Sequence, residues 1–496
     1  MARDSTLSHI VKHAGFDTFG TAINYILMFG TSVIITRTIG AELFGKYSLS
    51  NSIFLILGVF AVFGLNTGVV RLTSKYNARG DSASVKGTLV SGMLLSGAFG
   101  SALMIIVIAI SPLLASKVFK NVEGISWVLR LHIIALPFYA IMLVVNGYAQ
   151  GFKTLKYSVI VEFLARPTVR LGLVVLLFTL GLRLKGVLYA TVISYVCAAI
   201  LALLFAIRVS KFPFRTTSAR LVTSELFFYS VPLVLARFMN VIIARSNTIL
   251  VGYFKEPTST GLFGAAVTLA AFIPMSLHSF SRIFAPIVSD LWEKQRLDEL
   301  RDTFKAVSKW VLSIGLPVFM LFLLFPSGLL EVFGKEFGKA DATLRLLAAG
   351  QIINVLVGPV GYVLTMTGRQ KLNLLNSIIL AGVNVALNII MIPRWGIIGA
   401  GLATAISLAA INILKVIQVK VIYGFTPLRK DIYKPLVAGG LAGVIIYLVS
   451  QKVRWESLQA TLGLCIAFLC LYFGLLYALG LKEEKEVILN ILRRKR

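Results

Sequence analysis

LNLLNSIILAGVNVALNIIMIPRWGIIGAGLATAISLAAINILKVIQV, residues 372–419, is apolar for 21 residues, breaks at Pro393-Arg394-Trp395-Gly396, and is apolar again for 23. A helix needs about 20 apolar residues to cross a hydrocarbon core. Within that core every backbone polar group must pair inside the segment, so each half reads as a membrane-spanning helix. The pattern continues in both directions. Further apolar runs lie at 16–37, 47–70, 87–114, 127–150, 157–180, 187–208, 226–253, 261–287, 310–333, 343–366, 435–451 and 458–480. The 496-residue chain is 57% hydrophobic and only 14% charged, against roughly 25% charged in soluble domains. These features predict an all-α integral membrane protein of about fourteen helices.

The charge of +28 would suggest nucleic acid in a soluble protein. Here Lys and Arg sit mostly between apolar runs, a pattern of topology and of contact with anionic lipid. One set of loops, with both termini, holds 29 of them; the other holds 12; the remaining eight lie inside spans, making up all 49. The positive-inside rule then places both termini in the cytoplasm of a cell-membrane protein. The first apolar run is too long for a cleavable signal peptide. Residues 289–309, with Trp292, Leu300, Phe304 and Val307 near one face, predict an interfacial amphipathic helix.

The chain also repeats. Leu129-Arg130-Leu131 and Leu344-Arg345-Leu346 stand 215 apart, ATVIS (190–194) and ATAIS (403–407) 213 apart, and Gly45-Lys46-Tyr47 and Gly261-Leu262-Phe263 216 apart. Six spans per unit make parallel repeats, a transporter plan with two pseudo-symmetric six-helix lobes. The expected division is 1–210, 211–425, and 426–496 for the two extra spans and the basic tail.

Charges inside the spans point to function. Arg130, Arg345, Arg282 and Lys415 lie within two or three turns of a span end, where their side chains can snorkel. Arg166 and Arg170 lie about 15 and 20 Å along span five at 1.5 Å per residue, and Arg237 is similarly deep in span seven, with Arg245 nearer its outer third. Each costs about 2.5–3.5 kcal/mol against lipid even on the mild scale, so protein or a hydrated cavity should surround them. Glu162, Arg166 and Arg170, four apart, share a helical face; Glu162 can pair with Arg166 and leave Arg170 unneutralised. Pro167 loosens the backbone between the arginines. This set reads either as an ion-pair network or as the wall of a cationic cavity. Span seven adds a polar side of Arg237, Asn240 and Asn247, and span eight adds His278 and Arg282. A cavity of this kind suits phosphate, whose oxygens match the arginine fork, and fits a cationic drug poorly. Glu162 and Asp17 are the acids at membrane depth, candidates for ion coupling or charge pairing.

Other chemistry finds little support. Cys197, Cys465 and Cys470 fall inside apolar runs without metal or disulfide spacing. His9 and His13 lack a third ligand. No P-loop, dinucleotide fingerprint or nucleophile elbow occurs, so neither an enzyme nor a cofactor is expected. The spacings Gly92, Ser96, Gly100 and Gly439, Gly443 read as helix-packing surfaces.

Residues 364–407, LTMTGRQKLNLLNSIILAGVNVALNIIMIPRWGIIGAGLATAIS, resemble the C-terminal half of the polysaccharide-biosynthesis (Wzx-type) flippases of the multidrug/oligosaccharidyl-lipid/polysaccharide (MOP) exporter superfamily. The matching features are Gly368-Arg369, Asn384 and Asn388, Ile392-Pro393 and the glycine-rich start of span twelve. RTIGAELFGKYS (37–48) and NTILVGYFKEPTSTGLFGAA (247–266) resemble the family too. The resemblance implies fourteen helices in two lobes around a cavity, and alternating access that moves an isoprenoid phosphate- or pyrophosphate-linked glycan to the outer leaflet. It implies head-group binding by Arg237, Arg245 and Arg282, with a proton or sodium counter-ion and a monomer sufficient. Arg166 and Arg170 rest on the depth argument above. Relatives often have an acid where this chain has Asn247, which shifts any ion coupling to Glu162 or Asp17. A multidrug antiporter of the same superfamily would want an acid-rich cavity, and a glycan polymerase or ligase would want large outer loops; the chain has neither.

Overall fold

The computed structural model describes the backbone of residues 2–120, 122–210, 212–427, 432–452 and 458–479, and side chains from residue 20 onward except Ala22, Ala236 and Arg282. The basic tail and the side chains of His9, His13 and Asp17 lie outside the described residues. All regular structure among the described residues is helical. Contacts divide the chain into two compact units, residues 1–264 and 265–496.

The first unit holds α1 (Ala2–Val62), α2 (Leu65–Ala78), α3 (Ser82–Leu113), α4 (Ile125–Ile133), α5 (Leu136–Gly151), α6 (Lys156–Val159), α7 (Arg166–Thr179), α8 (Arg183–Val209) and α9 (Thr223–Phe254), and α10 (Pro257–Ala270) crosses the boundary. The second holds α11 (Met275–Glu293), α12 (Leu297–Leu324), α13 (Pro326–Leu330), α14 (Asp341–Leu356), α15 (Val360–Met366), α16 (Gln370–Tyr423), α17 (Tyr433–Ser450) and α18 (Leu458–Ala478). Among the described residues, eight helical stretches are long and apolar enough to cross a membrane, or eleven with three bent pairs. The fourteen apolar runs count differently. Two of the eight stretches hold two runs each, bent at Gly40 (φ 76°) and Gly396 (φ 56°), and the run 157–180 is a helix interrupted near Pro167.

The repeat is written in the backbone. Gly80 and Gln295, Lys153 and Gly368, and Gly181 and Gly396 all have positive φ, and the members of each pair stand 215 residues apart. A left-handed residue ends a helix and reverses the chain, so corresponding turns recur even where the residue is not glycine. Gly45 and Gly261 also correspond. A Cβ on Gly45 would stand 1.8 Å from the Pro257 carbonyl oxygen, and one on Gly261 would stand 2.0 Å from that of Ala41. Each glycine thus admits the carbonyl four residues before its counterpart.

Small residues set the other close crossings. Gly92 and Gly100 of α3 lie against Val144 and Pro137 of α5, and Gly439 and Gly443 of α17 against Leu316 and Met320 of α12. Without a hydrophobic drive between helices in lipid, such close van der Waals fit is a main source of association.

The linker before α9 is strapped to α3. Lys86 Nζ donates to the Phe214 and Thr217 carbonyls, both at 2.8 Å. The Arg220 amide donates to Ala83 O, and the Val222 amide to Ser91 Oγ, both at 3.0 Å. Lys75 and Tyr76 both donate to the Glu225 carboxylate. Around this strap lies a polar cleft of about 460 Å³ lined by Arg79, Asp81, Arg220 and Glu225 among others.

Asp81 caps α3, its Oδ1 accepting from the Ser84 amide at 2.9 Å. Its bonds with the Ser84 hydroxyl and amide, helped by the nearby Arg220 guanidinium, hold its carboxyl below the usual range. A carboxyl depressed in the folded state stabilises it above about pH 4, and that contribution fades as pH falls through the folded pKa. Asp81→Ala should therefore cost about 1 kcal/mol at neutral pH. Thermal unfolding of wild type and variant should converge as the pH is lowered.

The expected amphipathic helix over 289–309 is broken. Gln295 takes φ 58°, so Trp292 belongs to the last turn of α11 while Leu300, Phe304 and Val307 belong to α12. Those three side chains are buried in protein, and Trp292 meets the Tyr423 ring edge-on at 5.6 Å. The apolar face is covered by the protein's own helices, not by a membrane surface.

Candidate functional site

Span five departs from a regular α-helix. Residues 160–165 form a π-turn, and α7 begins at Arg166 with Pro167 in its first turn. Proline lacks the N–H that would close an α-turn onto the Phe163 carbonyl, and the widened turn accommodates that loss. Such π-bulges occur often at functional sites. Glu162 stands in the π-turn and Arg166 and Arg170 beyond it, all half-buried.

The two arginines meet tyrosines. Arg170 Nη2 donates to the Tyr47 hydroxyl at 2.5 Å, and Arg166 Nη1 donates to the Tyr195 hydroxyl at 3.3 Å. Each guanidinium also lies over the ring of its tyrosine, at 5.5 Å for Arg170 and 5.1 Å for Arg166. From α9, Arg237 hydrogen-bonds the Tyr139 hydroxyl, and Arg245 lies within electrostatic range of Tyr47, Tyr139 and Tyr195. Pro232 removes a helical hydrogen bond and α9 bends 43° between Leu235 and Arg237, which places Arg237 at the bend.

The tyrosines are held from behind. Tyr139 packs edge-on against Tyr195 at 5.4 Å, and Phe54 touches both. His132, 1% exposed, stacks on Tyr47 at 5.6 Å and on Phe54 at 5.0 Å. Its Nδ1 lies 2.9 Å from Ser50 Oγ. These aromatics are mostly buried, so they brace the arginines and do not form an open platform.

The electrostatics follow from the partners. A tyrosine hydroxyl orients a guanidinium without neutralising it, whereas a carboxylate would do both. Arg166 Nε and Arg170 Nε are buried donors with no protein acceptor. Buried donors are normally satisfied, so this arrangement invites an external acceptor. Glu162 is the acid of the group, close enough to act on Tyr139.

The other expected residues divide by unit. Asn240 is exposed and Asn247 buried along α9, so the polar side of span seven runs from surface to interior. His278, exposed, belongs to the second unit with α11. Arg282 is on α11 as well, but its side chain, like that of Asp17, lies outside the described residues. Arg130 is exposed and donates Nε–H to Ser111 Oγ at 2.7 Å.

Tyr47, His132, Tyr139 and Tyr195 were not legible as site residues. A signal existed for three of them. Tyr47 ends the repeated Gly45-Lys46-Tyr47, His132 follows Leu129-Arg130-Leu131, and Tyr195 follows the ATVIS motif.

The family described as "Polysaccharide biosynthesis protein" matches residues 10–292. An uncharacterized membrane protein of Methanocaldococcus jannaschii is 23% identical over 474 residues, 89% of this chain and 90% of that one. A probable low-salt glycan biosynthesis flippase of Haloferax volcanii is 25% identical over 191 residues, 38% of this chain and 40% of that one. Among solved structures, an inward-facing multidrug resistance transporter of the MOP superfamily matches with TM-score 0.70 at 14% identity, covering 81% of this chain and 94% of that one. A lipid II flippase in an inward closed conformation matches with TM-score 0.69 at 15% identity, covering 95% and 99%. At these identities the structures share the fold alone.

Proposed function

The chain belongs to the polysaccharide biosynthesis protein family, and from that premise we propose that it is a flippase for a lipid-linked glycan. The substrate is an isoprenoid phosphate- or pyrophosphate-linked oligosaccharide, moved from the cytoplasmic to the outer leaflet. The observation that carries this reading is the set of arginines oriented by neutral tyrosine hydroxyls, with Arg166 Nε and Arg170 Nε left without acceptors. Phosphate oxygens supply both the acceptors and the missing negative charge.

In this reading Arg166, Arg170, Arg237 and Arg245 hold the head group, and Asn240 and Asn247 provide polar lining. The lobes, residues 1–210 and 211–425, alternate between inward and outward openings while the isoprenoid stays in lipid. Glu162 and Asp17 are the proposed points of proton or sodium coupling. The protein works as a monomer in the cytoplasmic membrane with both termini inside, as a transporter and not an enzyme. An organic cation finds no complement in the arginine set, which disfavours a drug antiporter.

The test is reconstitution in liposomes with a fluorescent isoprenoid-pyrophosphate oligosaccharide and a leaflet-specific quencher. Wild type is expected to move the label across, and Arg166→Ala and Arg237→Ala to move it at least several-fold more slowly. Proton-driven export of organic cations without lipid movement would overturn the proposal.

A further inference from the structure

The polar cleft beside the linker strap shares no residue with the arginine–tyrosine site. Its volume, about 460 Å³, falls within the range of ligand pockets, about 300–1,000 Å³. Three segments line it. The α2–α3 turn and the start of α3 supply Arg79, Asp81 and Ser84, the linker supplies Arg220, and the start of α9 supplies Ser224 and Glu225. Ser84 and Ser224 stand three and two residues outside the apolar runs 87–114 and 226–253, about 3–5 Å at 1.5 Å per residue. That is the level of the lipid head groups, which add roughly 5–8 Å on each side of the hydrocarbon.

The acids of the cleft are occupied by protein donors. Glu225 accepts from Lys75 Nζ on Oε1 at 2.6 Å and from the Tyr76 hydroxyl on Oε2. Asp81 accepts from the Ser84 amide and hydroxyl. The guanidiniums are not occupied. Among the described residues neither Arg79 nor Arg220 donates a side-chain hydrogen bond or forms a close ion pair, and each acts on its neighbouring carboxylate only at longer range. Lys75, Arg79 and Arg220 set against Asp81 and Glu225 leave one positive charge over. The cleft therefore presents free donors and a net positive charge, while its acceptors are already used.

A complementary ligand is an anion with acceptor oxygens facing several directions. Phosphate meets this need, because its oxygens match the arginine fork and reach donors on more than one segment. These loops also belong to the more basic of the two sets, which the positive-inside rule assigns to the cytoplasm, and that leaflet carries the anionic lipids. We propose that the cleft binds the head-group phosphate of an anionic membrane lipid through Arg79 and Arg220. A bound phosphate would join the α2–α3 turn to the linker and so reinforce the strap. The proposal does not rest on the flippase reading above.

The test uses the full chain in neutral maltoside micelles, with phosphatidylglycerol or phosphatidylcholine added and the bound lipids counted by native mass spectrometry. Wild type is expected to retain phosphatidylglycerol in preference to phosphatidylcholine. The double variant Arg79→Gln, Arg220→Gln should bind phosphatidylglycerol roughly tenfold more weakly or worse, the effect of losing hydrogen bonds to a charged group. Both side chains are exposed, so the variant should fold, and an unchanged thermal midpoint without lipid checks this. Arg208→Gln is the control. It removes an exposed charge from the same set of loops, outside the cleft, and should bind as wild type does. Equal weakening in the control, an unaffected double variant, or phosphatidylcholine retained as well as phosphatidylglycerol would each overturn the proposal. Inorganic phosphate separates the two sources of this chemistry. Failure to displace the lipid at comparable concentration would support the head group as the ligand, and displacement would assign the cleft to soluble phosphate and overturn the lipid.

Discussion

Arg170→Ala is expected to slow transfer of an isoprenoid-pyrophosphate glycan between leaflets by roughly ten- to a hundredfold. A hydrogen bond to a charged group contributes about 1.5–3 kcal/mol, and about 1.4 kcal/mol is a factor of ten. Arg170 is already oriented by Tyr47, so little side-chain freedom remains to be lost on binding. It also keeps its full charge, because a hydroxyl does not neutralise it. Two further variants separate these contributions. Arg170→Lys preserves the charge and loses the planar fork, and is expected to recover only part of the rate. Tyr47→Phe keeps Arg170 and removes its anchor, and should lower the rate a few-fold while leaving the salt dependence of binding intact. The measurement is the quenching rate in liposomes at matched protein density. Arg170→Ala moving the lipid at the wild-type rate would remove Arg170 from the site.

The second large effect concerns stability. Gly45→Ala and Gly261→Ala each place a methyl carbon within 2.0 Å of a backbone carbonyl oxygen. Neither neighbour can rotate away, since it is main chain in a helix. The crossing must open, and the surrounding contacts open with it. Overpacking a tight interior costs about 1–3 kcal/mol where side chains can adjust; main-chain neighbours put these two at or above the top of that range. Gly172→Ala is the control, because nothing lies within 4 Å of its added carbon. Thermal unfolding in detergent should show both variants well below wild type and the control close to it. A midpoint for Gly261→Ala equal to that of Gly172→Ala would mean that the crossing opens at little cost. The two approaches are reciprocal, each glycine facing the residue four before its counterpart, so both variants should fall by similar amounts.

The membrane class was legible because hydropathy is a sum over neighbours in sequence, and a 21-residue apolar run has few other fates. The repeat was legible for a similar reason. Its short motifs mark helix starts, and the structure adds turns of positive φ at the same 215-residue spacing. The depth of Arg166 and Arg170 could be counted along a span, which identified them as groups that cannot face lipid. Their partners could not be found this way. Arg170 and Tyr47 are 123 residues apart, and Arg166 and Tyr195 are 29 apart on different helices.

The helical spacing of Glu162, Arg166 and Arg170 did not show the local irregularity between them. Pro167 removes one donor, and residues 160–165, Glu162 among them, form a π-turn ahead of it. The amphipathic pattern over 289–309 failed for a related reason. A periodic apolar face says that something covers it, not what, and Gln295 turns the chain so that other helices do. Lys415 could be placed near a span end by counting, but only the packed helices put it beside Gly361 and Asn373. The sequence alone determined which residues must leave water and which charges must avoid lipid, since both are transfer free energies of individual groups. Tertiary structure alone decided which groups meet, since that depends on where helices bend and how closely their backbones approach.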